Sequence, residues 1–232
     1  LPKYLKHLCL DANNDIMTEI NTLNLESCYI LNKKIHKFVN PEKYVNLKKV
    51  VASSECFLCD DTITLPPNLE RLEFTSVINY NFSNIDNLNN LKELRVICVE
   101  DLLLLKKLPN NLEILHINSI NPNIFGKEKM TLPVPTSFSK FTGNIMLNNI
   151  IYSFCKKYNL QKEIVIDFHK LAKENTLLMT IHDNSIKTKI DICNIPDTVT
   201  HLDIQASNIS IEFKPKNEKY LRFGVGFKQP IQ

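Results

Sequence analysis

One phrase recurs along the chain, and its period constrains the fold more than any other feature. It stands as Leu1-Pro2-Lys3-Tyr4-Leu5-Lys6-His7-Leu8-Cys9-Leu10 and again as Leu65-Pro66-Pro67-Asn68-Leu69-Glu70-Arg71-Leu72-Glu73-Phe74. It returns as Leu108-Pro109-Asn110-Asn111-Leu112-Glu113-Ile114-Leu115-His116-Ile117 and as Ile195-Pro196-Asp197-Thr198-Val199-Thr200-His201-Leu202-Asp203-Ile204. Copies lacking the proline or changing the apolar type occupy 25–30, 47–52, 91–96 and 134–141. The second apolar position falls at 8, 28, 50, 72, 94, 115, 141, 202 and 221, so the early steps are 20, 22, 22, 22 and 21 residues. Apolar residues at i, i+3 and i+5 place the alternate residues of a short strand on one buried face.

A unit of this size cannot bury its apolar face alone, so neighbours must stack into one continuous core. The pattern is that of a leucine-rich repeat. It predicts an α/β fold, a curved solenoid of about nine to eleven units with a parallel sheet on its concave wall and an irregular or helical convex side. Strands are expected near 7–11, 27–31, 49–53, 71–75, 93–97, 114–118, 140–143, 201–205 and 220–223. Proline in the Leu-Pro pair suits a strand entry, where it removes no ladder donor. The chain holds 28 asparagines, and Asn-rich links such as 79–90 supply returning turns. The solenoid is read as one domain over 1–232, with an irregular, partly helical segment at about 145–190. There the phrase fades, and Met146, Ile150, Ile151, Phe154 and Tyr158 are spaced closer to 3.6 than to 2, which predicts a helix over 146–158. Ile164-Val165-Ile166 and Met179-Thr180-Ile181 read as strands of degenerate repeats, although the 15-residue step from 164 to 179 is short for a full unit.

Composition removes several function classes. Hydrophobic residues make up 44% and charged residues 23% of the 232, enough to build a core and unlike a disordered chain. Only 4 glycines occur, against the roughly 16 of average usage, and phosphate-cradling loops need glycine where backbone amides approach a nucleotide. That excludes a P-loop or Rossmann enzyme. The net charge of +3 is spread without blocks, which argues against a nucleic-acid or anionic-membrane surface. Cys9, Cys28, Cys56, Cys59, Cys98, Cys155 and Cys193 form an odd, scattered set, read as reduced thiols of an intracellular, cytoplasmic protein. No run approaches the ~18 apolar residues of a membrane helix. The opening Leu1-Pro2-Lys3-Tyr4 carries neither a signal core nor an initiator methionine, so the chain is expected to begin inside a longer product, with further units or a partner covering the ends.

The last copies carry more than leucine spacing. Ile195-Pro196-Asp197-Thr198-Val199-Thr200-His201-Leu202 together with Leu221-Arg222-Phe223-Gly224-Val225-Gly226-Phe227-Lys228-Gln229-Pro230-Ile231 resembles the FNIP repeat, a relative of the leucine-rich repeat. Elsewhere only the Leu-Pro and leucine spacing survives. The resemblance implies a repeat module of amoebal and giant-virus proteins, often preceded by an F-box that recruits a ubiquitin-ligase scaffold. It also implies a cytoplasm, a host's included, or a virion as the location; the 232 residues themselves carry no F-box pattern, and one upstream of Leu1 is left open.

Fragments that could carry catalytic or metal chemistry have plainer readings. Cys56-Phe57-Leu58-Cys59 has the spacing of half a zinc site or of a redox pair, without a second Cys pair, a spaced His pair or a thioredoxin context, and reads as packed or free thiols. Asp60-Asp61 reads as a solvated loop end. Asp167-Phe168-His169, His182-Asp183 and Cys155 are the fragments from which a Cys-His hydrolase would be assembled, with no oxyanion hole in view. No enzyme, cofactor or metal is therefore expected.

The informative constellation is geometric. Residues flanking the buried pair project from the sheet in two rows spaced ~4.8 Å between strands. The first reads His7, Ser27, Lys49, Arg71, Glu93, Ile114, Lys140, His201 and Tyr220; the second reads Cys9, Tyr29, Val51, Glu73, Arg95, His116, Thr142, Asp203 and Arg222. Arg71 and Glu73 can meet Glu93 and Arg95 across neighbouring strands, either as a solvated set of ion pairs or as part of a recognition surface. Tyr29, Lys49, Arg71, Glu73, Glu93, Arg95 and His116 are the partner-binding candidates. The expected function is protein–protein interaction through these rows, to which the resemblance adds the substrate-selecting part of a ubiquitin-ligase adaptor. The rival is a structural component of a virus particle or other assembly, packing against copies of itself through faces and ends.

Overall fold

The computed structural model describes residues 4–10, 19–20, 24–31, 37–105, 108–122, 128–147, 150–182, 195–205 and 217–224. Leu1-Pro2, Asp183, Cys193 and the 225–231 close of the last unit lie outside them. The first strands in chain order are β1 (His7–Leu10), β2 (Glu19–Ile20), β3 (Ser27–Ile30), β4 (Lys37–Phe38), β5 (Lys49–Ala52), β6 (Leu58–Cys59), β7 (Thr62–Ile63), β8 (Arg71–Phe74) and β9 (Asn81–Phe82). They are followed by β10 (Glu93–Cys98), helix α1 (Val99–Leu104), β11 (Ile114–Ile120), β12 (Lys129–Pro133), β13 (Lys140–Leu147), β14 (Ile150–Lys157) and β15 (Glu163–Asp167). Helix α2 (Phe168–Asn175), β16 (Thr176–Ile181), β17 (His201–Ile204) and β18 (Tyr220–Phe223) complete them. The protein is mostly β. Eleven strands hydrogen-bond in one mixed, mostly parallel, open sheet in the order β1-β3-β5-β8-β10-β11-β13-β14-β16-β17-β18. Two compact units divide the chain: 1–118 with 133–141 and 158–164, and 119–132 with 142–157 and 165–232.

In the first unit the predicted strands appear within a residue or two of their expected bounds, and they are parallel. The register runs His7, Ser27, Lys49, Arg71, Glu93 across β1, β3, β5, β8 and β10. Leu8, Cys28, Val50, Leu72, Leu94 and Leu115 point inward and are buried, as are Leu25, Leu47, Leu69, Leu91 and Leu112 two residues before each strand. Each such side chain contributes about 2 kcal/mol on leaving water. The return segments contain short 3-10 turns at Pro41–Lys43, Ser54–Phe57 and Ile85–Asn87. Two-residue strands pair there in parallel, β2 with β4 and β7 with β9. Phe38 stacks on Phe57 at 4.7 Å and meets Tyr44 edge-on at 5.1 Å.

Asp60 and Asp61 close a tight antiparallel hairpin between β6 and β7, both with positive φ, 45° and 62°. Two such residues make the turn whose twist matches flanking strands. Both are exposed, in keeping with the expected loop end.

The second unit departs from the repeat. The segment 146–158, expected as a helix, is instead the end of β13 and the whole of β14. Spacing explains the correction: 146, 150, 154 and 158 are four apart, and a step of four satisfies a period of 2 as well as one near 3.6. Ile150, Ile151, Tyr152 and Phe154 are β-branched or aromatic and favour the strand. β14 runs antiparallel to β16 with a register shift at Ser153/Phe154. The helical part of 145–190 lies at α2, where the Asp167 side chain accepts the Lys170 N–H at 2.9 Å as an N-cap. Met179 pairs with Leu202 and Leu202 with Leu221 in parallel, so the degenerate repeat at 179 is a strand of the main sheet. The one at 164 falls in β15, which pairs with β12 in a separate two-stranded sheet. Met179, Ile181, Val199, Leu202 and Ile204 form this unit's buried cluster, with Phe223 packed against it.

Candidate functional site

The parallel register places all seven candidate residues on consecutive strands of the first unit. Tyr29 (β3) is followed in its row by Val51 (β5), Glu73 (β8) and Arg95 (β10); Lys49 (β5) is followed by Arg71 and Glu93. His116 lies on β11. Alternation sends these side chains away from the core. The rows are not uniformly solvated, however: Ser27 and Val51 are only 8% exposed, whereas Tyr29 is 37% exposed.

Arg71, Glu73, Glu93 and Arg95 close a four-membered ring of alternating charge. Arg71 reaches Glu73 at 3.3 Å and Glu93 at 3.7 Å, and Arg95 reaches Glu93 at 2.7 Å and Glu73 at 3.6 Å. Two cations matched by two anions leave the ring neutral, with both guanidinium groups engaged. His116 sits beside it. Burial, then Arg95, holds its imidazole below the ordinary range, opposed by a hydrogen bond with Asn118 and by Glu73 and Glu93.

Sequence reasoning missed a second ladder at the strand entries. Lys6, Glu26, Lys48, Glu70, Lys92 and Glu113 occupy the position just before each strand, with alternating sign. Lys6 pairs with Glu26 at 2.8 Å, Lys48 with Glu70 at 3.0 Å and Lys92 with Glu113 at 3.4 Å. Main-chain bonds run the same way, from the N–H of Glu26, Lys48, Glu70, Lys92 and Glu113 to the carbonyl of the preceding member. Asparagines at the turns add a third line. Asn68 donates to the Val45 carbonyl at 2.8 Å, Asn90 to Asn68 Oδ1 at 3.2 Å and Asn111 to the Asn89 carbonyl at 2.6 Å. The signal for both was the residue type at a fixed offset from each strand, rather than the apolar pattern.

Asp101 was also missed. It is fully buried at the start of α1, and its carboxylate accepts the N–H groups of Ile78 at 2.8 Å and of Ile97 and Cys98 at 3.0 Å. It serves structure, holding an otherwise orphaned helix start to the preceding loop.

Burial pushes the Cys28 and Cys98 thiols up to about 12 and raises Cys59, so all three stay protonated and are poor nucleophiles. Asp167 is held below the ordinary carboxylate range first by the Lys170 N–H and then by Lys129, and His169 is exposed on α2. Among the described residues no group of three or more His, Cys, Asp or Glu is placed to hold a metal, and no helix is long and apolar enough to cross a membrane.

The surface is therefore a set of strand-aligned side chains: a neutral ion ring, an aromatic residue at one end and a half-buried histidine at the other. No family model matches the chain, and searches of curated proteins and of solved structures each found no match.

Proposed function

We propose that the protein is a non-catalytic binding module, a solenoid of leucine-rich and FNIP-like repeats that receives a partner protein on the solvent-facing rows of its first unit. The observation that carries this reading is the register itself. It aligns Tyr29, Lys49, Val51 and the ion ring on one stretch of sheet, where rigid β-structure holds the side chains in fixed positions. Aromatic residues seated on a rigid wall are the usual anchors of such contacts. On the resemblance to FNIP proteins, the module selects substrates for a ubiquitin ligase.

A structural role in a particle or other assembly is the second reading, drawing on Leu221. It occupies the position whose counterparts at 8, 28, 50, 72, 94, 115 and 202 are buried, yet it is 38% exposed on β18. Affinity capture with the full-length product separates the two. Recovery of ligase-scaffold subunits supports the adaptor, with a co-captured substrate, but not the scaffold, lost on the double substitution of the exposed residues Tyr29→Ala with Lys49→Glu. Self-assembly indifferent to that pair and abolished by Leu221→Asp supports the structural role and overturns the first.

A further inference from the structure

Charged residues facing each other on neighbouring strands of the first unit are opposite in sign: Lys6 and Glu26, Lys48 and Glu70, Lys92 and Glu113, Arg71 and Glu93, Glu73 and Arg95. Lys49 breaks this rule. Its register partner on β8 is Arg71 and its partner on β3 is Ser27, so a cation stands directly opposite a cation. Like charges in that position destabilise a sheet. Arg71 is compensated from its other side by Glu73 and Glu93, but Lys49 is exposed and forms no ion pair among the described residues. Two residues along the same strand and face, Val51 lies in register with the exposed ring of Tyr29.

We propose that Lys49, Arg71, Tyr29 and Val51 form a subsite for an acidic, extended segment of a partner protein. One carboxylate sits over Lys49 and one apolar side chain lies against Tyr29 and Val51. The assignment rests on the protein-binding reading and adds the partner's chemistry. A carboxylate between Lys49 and Arg71 supplies the anion that neither register partner of Lys49, Ser27 or Arg71, provides, and converts a like-charge contact into charge-assisted hydrogen bonds. The adjoining ion ring is neutral, so the selection for negative charge is concentrated at Lys49. Lys49 and Val51 are two residues apart on one face, roughly 6.6 Å along the strand. An extended partner matches that distance with an acidic residue and an apolar residue at the same two-residue spacing. A structural origin of the mismatch predicts no ligand; stability given up at a binding site predicts one.

Fluorescence anisotropy with a dye-labelled peptide of repeated Glu-Ser-Val-Ser tests this, with the Lys-Ser-Val-Ser peptide and inorganic phosphate as comparisons. The acidic peptide should bind the full chain and weaken as salt is raised, while the lysine peptide should not bind. Lys49→Glu should weaken binding about tenfold or more. The same variant should melt at a higher temperature than the parent, because the carboxylate introduced on β5 would face Arg71, so the loss of binding is not a loss of folding. No binding of the acidic peptide, equal binding to the Lys49→Glu variant, or full displacement by phosphate at matched concentration overturns the proposal. Capture of a cellular partner that survives Lys49→Glu but is abolished by substitution of the exposed ring, Tyr29→Ala, would leave the protein-binding reading standing and remove the acidic segment alone.

Discussion

Between β1 and β11 each main-sheet strand of the first unit enters after 20–22 residues and carries its core residue at the same offset, and β1, β3, β5, β8 and β10 pair in parallel. From β14 to β18 the spacing becomes irregular, an antiparallel partner intervenes and a helix is inserted, yet β16, β17 and β18 pair in parallel with aligned core positions. The contrast separates two kinds of information. In the first region identity at a fixed offset does several jobs at once: leucine for the core, asparagine for the turn, alternating charge for the strand entry. In the second region the core residues persist, as does a turn asparagine, Asn217, which donates to the Asp197 carbonyl at 3.0 Å, but the alternating charge at the strand entry is gone.

The largest expected effect tests whether the regular region stands on its repeating residues alone. Asp101 belongs to no repeat, and Asp101→Ala leaves one buried and two part-buried N–H donors without their acceptor. A loss of roughly 4 kcal/mol is expected in urea unfolding, less for Asp101→Asn. A loss under about 1 kcal/mol would mean the repeat pattern suffices without it.

Gly224 sharpens the other side of the comparison. A side chain there would place its Cβ 3.0 Å from the Gln205 Cα, a backbone atom that cannot swing aside. Gly224→Ala should therefore cost about 1–2 kcal/mol by thermal melting. A neutral result would show that β17 and β18 pack more loosely than strands of the first unit.

The ion ring should matter less. A double-mutant cycle on Glu93→Gln and Arg95→Met is expected to give a coupling of about 0.5 kcal/mol that shrinks with salt, since both side chains are partly solvated.

The smallest effect is a pH dependence. The folded-state pKa of His116 is lowered, first by burial, so the unfolded chain binds the proton more strongly. Its contribution to stability is complete above the unfolded value of about 6.5 and declines as the pH falls below it. His116→Gln should flatten the stability profile in that range, and an unchanged slope would remove His116 as its source.

The strands of the first unit were legible because Leu-x-x-Leu spacing recurs with a nearly fixed step, and period 2 follows from pairing. The two rows were legible for the same reason, down to the meeting of Arg71 and Glu73 with Glu93 and Arg95. What escaped has particular causes. The 146–158 segment was misread because a step of four does not distinguish strand from helix. Asp101 gave no periodic signal, since a buried carboxylate is defined by the donors that converge on it. The β6–β7 hairpin turns on Asp60-Asp61, where aspartates take a conformation more often signalled by Asn-Gly.

The alternating row of Lys6, Glu26, Lys48, Glu70, Lys92 and Glu113 has a parity. Excising one unit joins like to like: without the β5 unit, Glu26 would abut Glu70. Excising two restores the alternation. A change in the number of units therefore keeps every strand-entry ion pair when units are gained or lost in pairs, and sets like charges side by side when they are not.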